Sequence, residues 1–292
     1  MIDPATIPVV DSHHHVWDPT KRDYPWLTDP KIAKPFGVGD LRPLLEESGV
    51  DATVLVQTVG DIEETREFLA LAAETPFIAG VVGWADLTDP QLSYALDELK
   101  EGPGGEFLVG IRHQVHDEED ENWLGREDVQ QGLAVVAEAG LVYDLLIRPQ
   151  HLDEALRTAQ DFPHLRFVID HMAKPDIAGG EFDGWNVKMH EFAGLENVAC
   201  KLSGILTEAG DGWTAESLHP YIRTVVEVFG PHRLMFGSDW PVSLLAADYA
   251  TVYRTFRDAI GEFELPEDDV DAIFGRTAVH WYGLERNLET GE

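Results

Sequence analysis

The side chains best placed for chemistry are His13 and His15, set two positions apart in Asp11-Ser12-His13-His14-His15. On an extended strand, residues i and i+2 point to one face, so both imidazoles can address one point while His14 faces away. Two neutral imidazoles aimed together suit a borderline-soft divalent ion such as zinc. Far along the chain, His171 and Asp239 offer another nitrogen and a carboxylate that could complete the coordination. Arg112 and His113 add a fixed cation and a titratable ring, and Lys201 adds a flexible cation. Each has a plainer reading. Either histidine of the pair could be a satisfied core residue, His171 a strand-end cap, and Asp239 a turn carboxylate bonding its own backbone. Arg112 and Lys201 could be ion-pair partners, His113 a packed supporting ring, and Trp17 and Trp26 ordinary core aromatics.

Groups this far apart in sequence meet only if the fold gathers strand ends. Short β-branched runs recur at Pro8 to His14, Ala52 to Thr58, Ile78 to Asp86, Val109 to Gln114, Val142 to Ile147, Arg166 to His171, Val198 to Ser203 and Leu234 to Asp239. Helical spacing fills the gaps, most clearly at Glu63 to Glu74, Gln91 to Glu101, Val129 to Ala139, His151 to Gln160 and Tyr221 to Phe229. Strand followed by helix, repeated eight times, predicts parallel pairing and a closed α/β barrel, a (β/α)8 TIM barrel in one domain over residues 1–292. A doubly wound open sheet is the alternative, but no glycine-rich phosphate loop follows the first run. Catalytic groups on such a barrel lie at the C-terminal strand ends, where all the polar candidates fall. The tail from Glu267 reads as a C-terminal helical extension, residues 267–292. The long connection 17–40, with Tyr24, Trp26 and Phe36, reads as a lid over the barrel mouth rather than a plug elsewhere.

Composition excludes several roles. Acidic residues number 54 against 21 basic ones, a formal net charge of -33, so phosphates would be repelled and nucleic acid is not expected as a partner. The acidity suits a surface solvated at high salt, with an ordinary acidic enzyme as the alternative. No apolar run is long enough to span a membrane. Met1 to Pro8 lacks the basic start and apolar stretch of a secretory signal. Cys200 is the sole cysteine, so no intramolecular disulfide forms and a cytoplasmic setting is expected. A homo-oligomer is compatible with all of this.

The strand-one segment Asp11-Ser-His-His-His-Val-Trp-Asp18 resembles the His-x-His signature of the amidohydrolase superfamily. More of the chain is similar to its sugar-lactonase branch, which includes L-fuconolactonase and L-rhamnono-lactonase. The matching stretches are Asp23-Tyr-Pro-Trp-Leu27, Val54-Leu-Val-Gln57, Gly80-Val-Val-Gly-Trp84, Gly110-Ile-Arg-His-Gln114 and Asp144-Leu-Leu-Ile-Arg-Pro149. Phe167-Val-Ile-Asp-His-Met-Ala-Lys-Pro175, Cys200-Lys-Leu-Ser-Gly204 and Phe236-Gly-Ser-Asp-Trp-Pro241 follow in order, so the resemblance covers nearly the whole chain.

That resemblance implies a distorted TIM barrel that hydrolyses small cyclic esters. Many superfamily members hold two metals, using a carboxylated lysine or glutamate on strand four and a histidine on strand five. Here those strands end in Arg112-His113 and Ile147-Arg148-Pro149, so a two-metal centre is not expected. One divalent ion, zinc first, held by His13, His15, His171 and Asp239, is the expectation; metal-free action, known among similar lactonases, is the alternative. Asp239 is then the general base, with His171 and His113 as further catalytic groups. Arg112, Lys201, Trp17 and Trp26 are the substrate-binding candidates, the indoles offering flat faces to a sugar ring. The rival reactions on this scaffold are opening of pyrone dicarboxylate lactones and metal-dependent decarboxylation. A non-catalytic sugar-acid binder is the rival of another class.

Overall fold

The computed structural model describes residues 7–289. Positions 1–6, and the last three of the expected 267–292 extension, lie outside them. Eight parallel strands pair in chain order. They are β1 Val10–His14, β2 Ala52–Val56, β3 Ile78–Gly83, β4 Leu108–His113, β5 Val142–Leu145, β6 Phe167–Ile169, β7 Val198–Leu202 and β8 Leu234–Phe236. The sheet closes on itself beyond the end of β8, where the His15 amide donates to the Trp240 carbonyl at 2.7 Å and the Asp239 amide to the His13 carbonyl at 2.8 Å. The expected eightfold barrel is therefore what forms.

Strand ends differ from the sequence reading in one direction. The apolar runs through Asp86, Ile147, His171 and Asp239 leave the sheet early, at Gly83, Leu145, Ile169 and Phe236. Backbone conformation is the cause in two of these: His171 (φ 52°) and Asp239 (φ 55°) are left-handed, which no strand accommodates. The helix expected at Tyr221–Phe229 begins at Ala215, where the Thr214 hydroxyl accepts from the Ser217 amide, and it runs through Pro220. Part of the long first connection is also helical, because Val38–Ser48 is a helix. The rest is a loop whose ends are pinned by paired backbone bonds between Trp17 and Phe36 at 3.0 and 2.9 Å. Trp17, Tyr24, Ile32 and Phe36 of this loop are buried.

The barrel interior is layered. Val54, Val56, Val82, Val142, Val168, Ala199 and Met235 form an apolar layer packed against Ala278, Trp281, Tyr282 and Leu284 of the C-terminal segment. That segment, Glu267–Asp271 continuing through Ala272–Arg276 to Thr277–Tyr282, thus plugs one end of the barrel. Period-two alternation places Asp144, Lys201 and Arg112 two residues further along their strands, on the same inner side as Val142, Ala199 and Gly110, and Asp170 follows Val168 in the same way just past the end of β6. In β1, strict alternation would put Ser12 and not His13 on the side of Val10. A register shift against β2 between Asp11 and His14 resets the parity. The acidic run Asp117–Glu121 is largely exposed. Among the described residues, no helix is long and apolar enough to cross a membrane.

Candidate active site

The floor of the site is a ring of buried charge. Lys201 Nζ lies 2.6 Å from Asp144 and 3.0 Å from Asp170, and Arg112 donates to Asp170 at 2.9 Å; all four side chains are almost fully buried. Tyr282, from the C-terminal plug, donates its hydroxyl to Asp144 at 2.8 Å. Burial alone would raise the Asp170 carboxyl, but Lys201, His13 and Arg112 hold it well below the usual carboxylate range. His13 sits on this ring, its Nδ1 lying 3.2 Å from Lys201 Nζ and 3.4 Å from Asp170.

Above the floor, the Nε2 atoms of His13 and His15 face each other at 3.2 Å. His15 Nδ1 lies 2.7 Å from the Val56 carbonyl, which can only accept, so His15 carries its proton there and its Nε2 is a bare acceptor. Asp239 Oδ1 is 3.4 Å from His15 Nε2 and 3.9 Å from both His13 Nε2 and His171 Nε2. His14 turns away and meets the Thr53 hydroxyl at 2.9 Å. Burial keeps His13 neutral, well below the ordinary imidazole range, and pulls His171 down to about 4. Burial pushes Asp239 up, yet the neighbouring His171, His15 and Lys174 outweigh it, so its carboxyl stays below its ordinary value and ionised.

Two neutral imidazoles and an ionised carboxylate within 4.8 Å of one another fit a divalent cation. The 3.2 and 3.4 Å separations match the edges of a tetrahedron whose bonds are roughly 2.0–2.1 Å, the zinc–nitrogen and zinc–oxygen range. His171 is delivered by an unusual turn: His171, Met172, Ala173 and Lys174 are all left-handed, with φ of 52°, 54°, 59° and 48°. Side chains three apart superpose on such a tight turn, so His171 and Lys174 both reach the same cavity. Gly204, after β7, is what leaves room: a Cβ there would stand 2.4 Å from His171 Nδ1. Ser203 meets that Nδ1 at 2.8 Å.

The cavity holds about 220 Å³ and is lined by His15, Trp26, Thr58, Arg112, Gln114, His116, Asp117, Leu146, His171, Lys174, Asp239 and Val242. Of the residues singled out in sequence, His15, Arg112, His171, Asp239 and Trp26 border it, with His13 behind His15. Three do not reach it. His113 points outward, accepting from Trp84 at 3.1 Å, contacting Glu118 at 2.6 Å and stacking on Trp123, because alternation on β4 sends Arg112 inward and its neighbour out. Lys201 is consumed by the floor ring. Trp17 is buried, donates to the Ile32 and Lys34 carbonyls, and touches Trp26 edge-on at 5.1 Å, so it supports the aromatic wall from behind. Sequence reasoning missed His116 and the floor role of Asp144. The inward parity of Asp144 with Val142 was the available signal for the latter; nothing marked His116.

A family profile described as Amidohydrolase matches residues 10–284. The chain belongs to the amidohydrolase family. This amidohydrolase is 39% identical over 282 residues to the L-fucono-1,5-lactonase of Burkholderia ambifaria, covering 95% of this chain and 96% of that one. The L-fucono-1,5-lactonase of Burkholderia multivorans is 35% identical, with 94% and 96% covered. A crystal structure of a zinc-bound amidohydrolase from Burkholderia multivorans superposes with a TM-score of 0.88 at 34% identity, over 94% of this chain and 99% of that one.

The floor ring makes a stability prediction. Lys201→Met leaves two buried carboxylates without their shared cation, so unfolding free energy should fall by about 3–5 kcal/mol in urea titrations. A loss below about 1 kcal/mol would show that the ring does not depend on Lys201.

Proposed function

We propose that this amidohydrolase opens neutral sugar-acid lactones of the L-fucono-1,5-lactone type by attack of water. The observation that carries the reading is the meeting of the ionised Asp239 carboxylate with His13, His15 and His171 at the base of a pocket of sugar size. The similarity over nearly the full length to two L-fucono-1,5-lactonases supports the substrate class.

Hydrolysis needs an activated water, a partner for the carbonyl oxygen and a proton for the departing ring oxygen. Asp239 takes a proton from the attacking water and returns it to the ring oxygen as the tetrahedral intermediate collapses, so the carboxylate is regenerated. Arg112, fixed by its bonds to Asp170 and the Gln57 carbonyl, presents its guanidinium toward the developing oxyanion. Trp26 offers one face to the sugar ring and is anchored by donating to the Thr58 carbonyl at 2.9 Å. Its loop is the lid in this reading, held in place by the Trp17 and Phe36 bonds. His13, His15, His171 and Asp239 are the residues that would hold a zinc ion. Such an ion, when bound, lowers the pKa of water from about 15.7 toward roughly 7.

Three measurements test this. Proton-release assays should show L-fucono-1,5-lactone and related neutral aldonolactones hydrolysed at least about a hundredfold more efficiently than pyrone carboxylates; no turnover of any lactone would remove the reading. Asp239→Asn, with unchanged circular dichroism, should lower kcat by about a thousandfold or more, and near-parental turnover would exclude Asp239 as the base. Elemental analysis should find zinc, and chelation should abolish activity that added zinc restores. Full activity in a metal-free sample would exclude an obligatory ion.

A further inference from the structure

The pocket carries two cations, and each is already answered by a carboxylate outside the lining. Arg112 donates to Asp170 at 2.9 Å, and Lys174 donates to Glu208 at 2.9 Å. Arg148, which does not line the pocket, holds its Nη1 3.9 Å from the other oxygen of Glu208, so this carboxylate also answers a second cation. The side chains of Lys174 and Glu208 are 15% and 18% exposed, a partly desolvated pair that solvent screens only in part. Two further carboxylates, Asp117 and Asp239, belong to the lining itself. The pocket is thus left without a surplus positive charge, although its cations alone would suit an anion.

Both partners are delivered by local backbone devices. The left-handed turn brings Lys174 beside His171, and Gly204 (φ 66°) starts the short helix Ile205–Glu208 that ends at the opposing carboxylate. We infer that Glu208 is a specificity-determining residue: by neutralising Lys174 it keeps the pocket from holding carboxylate-bearing lactones and admits neutral ones. The same pairing leaves the carboxylate that ring opening creates without a cation to hold it, so one contact both selects the substrate and loosens the product. This inference rests on the proposed lactonase reading for the identity of the substrate, but the exclusion of anions can be measured without turnover.

The test is binding of an unreactive aromatic dicarboxylate that is not a chelator, benzene-1,3-dicarboxylate, measured by calorimetry on the whole protein. Glu208→Gln should tighten it by at least about tenfold at low salt, with the gain shrinking as ionic strength rises. Adding Lys174→Met to that variant should return the affinity to the parental value, as a double-mutant cycle requires if the two residues act together. An unchanged Kd in a folded Glu208→Gln protein, or a gain that persists without Lys174, would overturn the inference. Because no catalysis is read, absence of lactone turnover in the parent would refute the proposed function while leaving this result intact.

Discussion

Four charges sealed inside the barrel, Asp144, Lys201, Asp170 and Arg112, are the constraint on which the site depends. Each would be costly to bury alone, and each is tolerable because its neighbours have the opposite sign. The ring has no freedom to move without exposing an unpaired charge. It therefore fixes Arg112 from below and His13 from the side, and His13 in turn sets the position from which His15, His171 and Asp239 are reached. The candidate site is thus ordered from beneath, by charges paired in a low-dielectric interior.

Strain is concentrated beside that rigid floor. A non-glycine residue in left-handed conformation costs about 1–2 kcal/mol, and here four follow one another from His171 to Lys174, with Asp239 a fifth nearby. The buried surroundings hold them: Met172 and Ala173 are fully buried and Trp185 donates to the Met172 carbonyl at 2.8 Å. What the turn gains is density of function, an imidazole and an ammonium three residues apart aimed into one cavity.

Much of this was legible in sequence, for identifiable reasons. Alternating β-branched runs and helical spacing encode the barrel because a buried strand and an amphipathic helix have different periods. Of the i, i+2 histidines, His13 lies on β1 and His15 directly after it, and His171 and Asp239 lie just past β6 and β8. Less was legible where tertiary context decides. His113 and Arg112 are adjacent in sequence and equally polar, and only the parity of β4 separates pocket from outer layer. Lys201 and Trp17 have functional chemistry but are used for structure, since their partners Asp144, Ile32 and Lys34 come from distant or irregular segments. The left-handed run has no glycine to announce it, so the sequence pattern carries β6 past its end at Ile169.

The closure of the interior also orders events in time. Asp144 sits on the fifth strand, yet the hydroxyl that caps it belongs to Tyr282, and the first strand is sealed by bonds to the eighth and to the backbone beyond it. A nascent chain emerging from the ribosome has its histidine pair exposed from the outset, long before anything can enclose it. The pocket can close only once the eighth strand and the segment through Tyr282 have been made, so a chain cut short before them lacks the enclosure that gathers these side chains.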